Sequence, residues 1–315
     1  MITINLFYFI ISCLILLVSG IFLVKSLTKI SKFLGISEFS AAFIIMAFAA
    51  SIPELFVGIS SAISGTPELS LGNIIGANIL NLTLISGIII LSAKHIDFKT
   101  KKIGSDVYFM LLSILLLIVL FTIGNELSRI DGIILLVVFI YHTYEILKRR
   151  RKYKKTKTKD EKKEKISRFY WLLIFMTALI GLFIGSNLVV QYSSKLALDF
   201  GLTQIVIGLF IISFATTLPD LIFGLSAAHL KHKDMAIGNQ IGSVVTTTGL
   251  VLGIVALIHP IKAGFMPFIT SAIFLFVSGF IFYTFIKSGK KLSTYEGISL
   301  ILIYVLFIMI EFFIR

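Results

Sequence analysis

Apolar stretches of about 20 residues recur along the whole chain, and they constrain its fold more than any other feature. The first runs from Ile4 to Val24 without a charged residue, which is long enough for an α-helix to cross a bilayer. Only 14% of the residues are charged, against about 25% in soluble domains, which excludes a disordered protein, a nucleic-acid module and an ordinary cytosolic enzyme. We therefore predict an all-α polytopic membrane protein. Its ten transmembrane helices are expected at 4–24, 40–63, 69–92, 106–124, 130–147, 169–191, 203–229, 235–258, 263–286 and 297–314.

The basic residues lie mostly on one side of these spans. With the N-terminus outside, 25 of the 29 Lys and Arg residues fall in inner segments, thirteen of them between Lys148 and Arg168. Because cytoplasmic loops carry an excess of Lys and Arg, we expect a multi-pass cell-membrane protein with both termini outside and the linker 148–168 in the cytosol. The net charge of +13 then reflects topology, and we expect the lipid bilayer as a partner and no nucleic acid. A second role of the linker, binding to anionic lipid, stays open.

The chain contains an internal repeat with an offset of 166 residues. Residues 41–90 and 207–256 align without a gap and share 15 identities in 50 positions. The shared residues include prolines, glycines and an asparagine, such as Pro53 with Pro219, which chance similarity between apolar helices would not keep in register. The repeat is therefore a feature of the fold.

Each half contains five predicted spans, an odd number, so the second half enters the membrane inverted relative to the first. We expect two inverted five-helix repeats, at 1–147 and 169–315, joined by the basic linker. Inverted repeats with a site near the membrane midplane are typical of secondary transporters.

Glu54 and Asp220 are the only carboxylates near the middle of a predicted span, where a charge costs about 2.5–3.5 kcal/mol or more. They hold equivalent positions in inverted repeats, so we expect them to face each other. Two carboxylates alone would repel, and a divalent cation between them removes that conflict. The pair therefore predicts a cation site.

The surrounding residues offer further oxygen ligands. Pro53 and Pro219 lack an N–H and distort the preceding turn, which lets the carbonyls of Ala50 and Thr216 turn toward an ion. Helical spacing adds candidates on the same faces and on the helices that follow. These are Ala47 and Ser51 beside Glu54, Ser213 and Thr217 beside Asp220, and the stripes Asn73, Ala77, Asn81 and Asn239, Ser243, Thr247. Oxygen ligands without cysteine or a central histidine favour a hard cation (Ca²⁺, Na⁺ or Mg²⁺) over Zn²⁺ or Cu²⁺.

At these residues the chain resembles the sodium/calcium exchanger family, within the wider cation/calcium antiporter superfamily. The family's repeat motif reads approximately Gly-Thr-Ser-x-Pro-Glu, followed by Gly-Asn-x-x-Gly-Ser-Asn. The corresponding segments here are 49–54 with 72–78 and 215–220 with 238–243. The resemblance covers the whole chain and implies a prokaryotic-type member with a short central loop.

The resemblance also implies a division of the ligands between two ions. For Ca²⁺ it implies the carboxylates of Glu54 and Asp220 and the carbonyls of Ala50 and Thr216. For Na⁺ it implies Ser51, Thr217, Ser243 and Asn81, with the carbonyls of Ala47 and Ser213.

The chain departs from the family pattern at four positions, two of which are Ala50 and Ala77, where the family usually has hydroxyl side chains. Asp220 stands where a second Glu is usual, a change also seen in potassium-dependent members. Such members carry an acidic residue where this chain has Thr247. Proton/calcium antiporters typically carry an acid in place of Gly76 and Gly242, which argues against that branch.

We therefore expect a secondary active antiporter that exchanges Ca²⁺ for Na⁺ by alternating access. It would act as a monomer, with no cofactor and no enzymatic activity. An H⁺-coupled or Mg²⁺-type antiporter of the same superfamily is the alternative. From other classes, an intramembrane aspartyl protease would need a Gly-x-Gly-Asp loop, which is absent, and a passive channel would conduct without a counter-ion gradient.

Overall fold

The structure, a computed structural model, is a bundle of helices with very short strands at two of its loop contacts. It describes residues 2–33, 48, 50–97, 103–150, 161–229, 233–289 and 291–314. The helices of the first half are α1 (Ile2–Phe33), α2 (Ile52–Ile63), α3 (Pro67–Leu80), α4 (Ser86–Ala93), α5 (Ile103–Gly124) and α6 (Arg129–Arg150). Those of the second half are α7 (Glu161–Phe200), α8 (Gln204–Ile207), α9 (Ser213–His229), α10 (Lys233–Thr246), α11 (Leu252–Ile258), α12 (Phe265–Gly289) and α13 (Thr294–Ile314).

Three π-helical turns join pairs of these helices into longer spans. Asn81–Ile85 joins α3 to α4, Gly208–Ile212 joins α8 to α9, and Thr247–Val251 joins α10 to α11. In the described part of the chain, eight of the resulting helices are long and apolar enough to cross a membrane, and α2 is a shorter apolar helix. With α6, the helix count is roughly consistent with the ten predicted spans; of the predicted span 40–63, residues 40–47 and 49 lie outside the described residues. The predicted all-α membrane fold is confirmed.

Some helices extend beyond the predicted spans. α7 begins at Glu161 and continues to Phe200, because its polar ends remain helical after the apolar stretch of 169–191 stops. α6 likewise continues to Arg150. The predicted linker is therefore helical at both ends, and its residues 151–160 lie outside the described residues.

Two short antiparallel strand pairs connect loops of the two halves, and the sequence did not predict them. β1 (His95–Asp97) pairs with β4 (Lys291–Ser293), and β2 (Glu126–Leu127) pairs with β3 (Ile261–Lys262). Strands of this length are too short to carry a recognisable alternating pattern. Because β1 precedes α5 and β2 follows it, the two pairs tie the halves together at opposite ends of the bundle.

Helices α1 and α7 pack along each other and form most of a second apolar core, to which Val57 of α2 and Leu69 of α3 also contribute. Their backbones approach closely, since a Cβ atom on Gly185 would lie 3.0 Å from the backbone nitrogen of Leu16. On α1, a Cβ atom on Gly20 would lie 3.0 Å from Cγ of Pro219 and 3.2 Å from Cγ of Pro53. The α1–α7 pair therefore covers α2 and α9 at Pro53 and Pro219.

A second close crossing lies at the centre of the bundle. α3 passes over α8 and the adjoining π-turn, where a Cβ atom on Gly72 or Gly76 would overlap the backbone of Ile205 or Leu209. Only glycine fits at such a crossing. α3 therefore approaches α8 and the adjoining π-turn closely at Gly72 and Gly76.

Candidate functional site

Glu54 and Asp220 both lie in the interior of the bundle. Glu54 is in the first turn of α2, and Asp220 is in the middle of α9. Both side chains are 0% exposed, and they are near enough for their charges to repel. A buried pair of like charges needs fixed donors or a cation to be stable.

The two prolines have different effects in the two repeats. α2 begins at Ile52, directly after Ser51, whose backbone (φ −85°, ψ 0°) interrupts the helix. α9 stays helical through Pro219, where the hydroxyl of Thr217 donates to the carbonyl of Ser213 at 2.6 Å and supports the preceding turn. Among the described residues, the predicted interruption before the proline is present in the first repeat only.

Three hydrogen bonds hold the Asp220 carboxylate. Nδ2 of Asn239 donates to Oδ1 at 2.8 Å. Nδ2 of Asn81 and the hydroxyl of Ser243 each donate to Oδ2 at 3.0 Å. Because Asn81 belongs to the first repeat and the other two donors to the second, both halves hold this carboxylate in place.

The Glu54 carboxylate has a very different environment. Neither of its oxygens has a hydrogen-bond partner among the described residues, and the same is true of Oδ1 of Asn81 and Oδ1 of Asn239. Within the described ranges, four buried oxygen atoms thus have no hydrogen-bond donor. Two of them belong to the amides of Asn81 and Asn239, whose nitrogens donate to Asp220. Oxygen atoms without donors are the ligands that hard cations prefer.

Two further contacts bring predicted ligands into the same cluster. Oγ of Ser51 lies 3.5 Å from Oγ of Ser243, which also accepts from Nδ2 of Asn81 at 3.3 Å. The hydroxyl of Thr216 donates to Oδ1 of Asn73 at 3.1 Å and thereby connects α9 to α3. These contacts join both repeats around the carboxylates.

Four predicted positions can offer only a backbone carbonyl or are already engaged. Ala50 and Ala77 are buried and have no polar side-chain atom. The carbonyl of Ser213 accepts the hydroxyls of Thr217 and of the preceding threonine. Ala47 lies outside the described residues.

Thr247 connects the carboxylate cluster to a neighbouring network, because its hydroxyl lies 2.9 Å from the carbonyl oxygen of Ser243. Its hydroxyl donates to Oδ1 of Asn78 at 2.7 Å, and Nδ2 of Asn78 donates to the hydroxyl of Thr248 at 3.0 Å. Sequence reasoning did not select Asn78 as a candidate, because it lies off the four-residue stripe. Its place in the second half of the repeat motif was the signal that could have identified it.

The π-turns place two predicted ligands at equivalent points of the repeats. One begins at Asn81 and the other at Thr247, which are 166 residues apart. The hydroxyl of Ser86 donates to the carbonyl of Asn81 at 2.6 Å within the first turn. Such turns are frequent at functional sites, and no pattern in the sequence predicted them.

A further buried carboxylate lies away from this cluster. Glu311, near the end of α13, is 1% exposed and accepts a hydrogen bond from Ser271 at 3.2 Å. Glu311 was not predicted as a site residue, because it lies at the end of its predicted span. Its partner Ser271 is not one of the three residues that donate to Asp220.

Comparisons with known proteins agree with this architecture. The model of a family described as "Sodium/calcium exchanger protein" matches residues 4–147 and 170–313. The chain is 27% identical to the sodium/calcium exchanger MaX1 of Methanosarcina acetivorans, over all of both chains. It is also 27% identical to an uncharacterized membrane protein of Methanocaldococcus jannaschii, over 95% of each chain.

Solved structures show the same arrangement of helices. The sodium-calcium exchanger NCX_Mj, soaked with 10 mM Na⁺ and 10 mM Sr²⁺, is similar with a TM-score of 0.69 and 25% identity, over 98% of this chain and 99% of that one. The H⁺/Ca²⁺ exchanger CAX is similar with a TM-score of 0.80 over 97% of this chain and 82% of that one. At 15% identity, the second likeness is one of fold alone.

Proposed function

The chain belongs to the sodium/calcium exchanger protein family, and on that premise we propose that it is a secondary active antiporter that exchanges Ca²⁺ for Na⁺ by alternating access. The family consists of transporters, and the chain is accordingly not an enzyme. The relatives MaX1 and NCX_Mj, which are sodium/calcium exchangers, support this choice of ions.

The observation that carries the proposal is the environment of Glu54. No described residue makes a hydrogen bond of normal geometry to this fully buried carboxylate, and a buried carboxylate close to a second one is costly in a protein interior. A divalent cation between Glu54 and Asp220 offsets both charges at once. The donor-free oxygens of Asn81 and Asn239 complete a set of ligands suited to Ca²⁺.

We assign the ligands to the two ions as follows. Ca²⁺ is held by the carboxylates of Glu54 and Asp220 and by the carbonyls of Ala50 and Thr216. Na⁺ is held by Ser51, Thr217, Ser243 and Asn81 and by the carbonyls of Ala47 and Ser213, with Asn73, Ala77, Asn239 and Thr247 lining the site. Because both sets surround the same two carboxylates, binding of one ion excludes the other, and this competition couples their movements.

The α1–α7 pair supplies the moving part in this mechanism. It contacts both carboxylate helices at their prolines through Gly20. Binding of cations neutralises Glu54 and Asp220, which lowers the cost of passing the site beneath an apolar cover. The pair then slides across α2 and α9 and exposes the site first on one side and then on the other.

We also propose the membrane orientation that the charge distribution predicts. The halves 1–147 and 169–315 lie inverted in the cell membrane, with the linker 148–168 in the cytosol and both termini outside. Each half contributes one carboxylate, so a single chain holds a complete site and the protein acts as a monomer.

Uptake of radioactive Ca²⁺ into proteoliposomes tests the function. Gradients of Na⁺, K⁺ and H⁺ are imposed separately, and we expect uptake only with Na⁺ inside the vesicles. Glu54→Gln should abolish it, whereas Glu311→Gln, which alters a buried carboxylate outside the site, should leave it intact. Uptake driven by a pH gradient alone would replace Na⁺ coupling by H⁺ coupling, and normal uptake by Glu54→Gln would remove the carboxylate pair from the mechanism.

A further inference from the structure

One helical turn beyond each carboxylate, a glycine forms a close contact between the two repeats. Gly58 follows Glu54 on α2, and Gly224 follows Asp220 on α9. A Cβ atom on Gly58 would lie 2.7 Å from Cγ2 of Val255, and one on Gly224 would overlap the side chain of Ile89. The two glycines are 166 residues apart, and so are Val255 and Ile89, so the contacts are related by the repeat.

Each of these glycines also faces a polar side chain of its own repeat. The Cβ position of Gly58 is 3.0 Å from Oγ of Ser70, and that of Gly224 is 3.3 Å from Nε2 of Gln240. Both polar side chains are 0% exposed. Oγ of Ser70 and both amide atoms of Gln240 lack a hydrogen-bond partner among the described residues.

A buried polar group without a partner is destabilising, most of all in a membrane protein, where water does not compensate it. Packing at these two positions does not require a polar side chain. The first repeat has Ile74 where the second has Gln240, and the second repeat has Ala236 where the first has Ser70. The polar atoms therefore point to a partner that is present in another step of the cycle.

The positions of these side chains identify that step. On α10, Asn239 and Ser243 bond to Asp220, while Gln240 faces α9 one turn further along, at Gly224. α9 runs from Asp220 toward the side predicted to carry the basic loops, whereas α2 runs from Glu54 toward the opposite side. Gln240 and Ser70 thus lie on opposite sides of the carboxylate pair, each between it and one face of the membrane.

We propose that Gln240 and Ser70 are transient cation ligands, one on each route between the central site and the membrane surfaces. This inference rests on the proposed antiport. Ile89 and Val255 close the two routes by packing on the glycines. When a glycine separates from its apolar partner, the amide oxygen of Gln240 or the hydroxyl of Ser70 becomes available to the passing ion.

The chemistry of the ion explains the need for such ligands. Ca²⁺ takes six to eight oxygen ligands, and it loses those of the central site before the water outside has replaced them. An oxygen one turn away bridges this gap. Each of the two ligands acts on its own side of the membrane only, whereas the residues of the central site act in exchange on both sides.

Exchange measured separately on the two membrane faces tests the proposal. Right-side-out and inverted vesicles from expressing cells present opposite faces to external Ca²⁺. We expect Gln240→Leu to raise the half-saturating Ca²⁺ concentration by about fivefold on the face that carries the linker and to leave the other face unchanged. Ser70→Ala should show the reverse pattern.

Thermal unfolding in detergent supplies a second readout. Because neither polar group has a partner in the described part of the chain, Gln240→Leu and Ser70→Ala should be at least as stable as the parent protein. Loss of a structural hydrogen bond would instead lower the midpoint. Equal changes on both faces, no change on either, or a lowered midpoint in both variants would overturn the proposal while leaving the antiport intact. Absence of Na⁺-driven uptake in the parent protein would instead refute the proposed function.

Discussion

The unequal environments of the two carboxylates predict that their amide variants differ in stability. Glu54→Gln and Asp220→Asn each replace a carboxylate by an amide of nearly the same shape. Both carboxylates are fully buried, so the gain from removing a buried charge is similar in the two variants. It cancels when one variant is compared with the other, and the difference in hydrogen bonding is left.

That difference follows from the contacts. Asp220 accepts three hydrogen bonds, and Glu54 accepts none among the described residues. A hydrogen bond to a charged group contributes about 1.5–3 kcal/mol, against about 0.5–1.5 kcal/mol for a neutral one. Asp220→Asn keeps the bonds in neutral form at best, since Asn239 can rotate its amide to accept, and loses on the order of 1 kcal/mol per bond. We expect it to be about 3 kcal/mol less stable than Glu54→Gln.

Thermal unfolding of purified protein at pH 8, without Na⁺ and with a Ca²⁺ chelator, measures the difference. It corresponds to a midpoint roughly 5 °C lower for Asp220→Asn than for Glu54→Gln. The double variant controls for the repulsion between the two charges, which either single change removes. Equal midpoints, or a lower midpoint for Glu54→Gln, would refute the assignment of the three donors to Asp220.

Two further substitutions test the packing and the polar network around the site. Gly76→Ala forces the backbone of Leu209 to move and should destabilise the protein by about 3 kcal/mol or more. The control is Gly104→Ala, at a helical position with no atom within 4 Å of the added Cβ, which should leave the unfolding midpoint unchanged or slightly raised. Similar midpoints for the two variants would contradict the close crossing. Thr247→Val leaves Oδ1 of Asn78 without its donor and should lower the free energy of unfolding by about 1–3 kcal/mol. Na⁺-driven Ca²⁺ uptake should be preserved. Loss of uptake at normal stability would place Thr247 among the ion ligands.

The large-scale features of this protein were predictable because each depends on a short-range sequence property. Hydropathy alone identifies the spans, since each must cross the bilayer. The register between Pro53 and Pro219 identifies the repeat, and the exclusion of charge from apolar helices singles out Glu54 and Asp220. These inferences need no knowledge of which atoms touch.

The features that could not be predicted depend on contacts between residues far apart in the chain. Asn81 and Asn239 lie on equivalent polar stripes of their repeats. The sequence does not reveal that the amide nitrogens of both donate to Asp220, instead of one donating to Asp220 and the other to Glu54. The burial of Gln240 without a partner is equally hidden, because its repeat counterpart, Ile74, suggests an ordinary packing position. The strand pairs were not predicted because each joins segments far apart in the chain and is too short to show an alternating pattern.

If the chain exchanges Ca²⁺ for Na⁺ at the proposed site, the pair Glu54 and Asp220 also determines how the transporter responds to voltage. With both carboxylates ionised, one Ca²⁺ or two Na⁺ ions bring the central site to zero charge, and the membrane potential then does no work on the loaded site. A third Na⁺ would leave one positive charge to cross, which is worth about 2.3 kcal/mol at 100 mV. Thr247, where a third acid would have balanced that charge, keeps the site at two. The net charge that crosses the membrane in one exchange cycle, measured as a current, therefore equals the number of monovalent ions beyond the second.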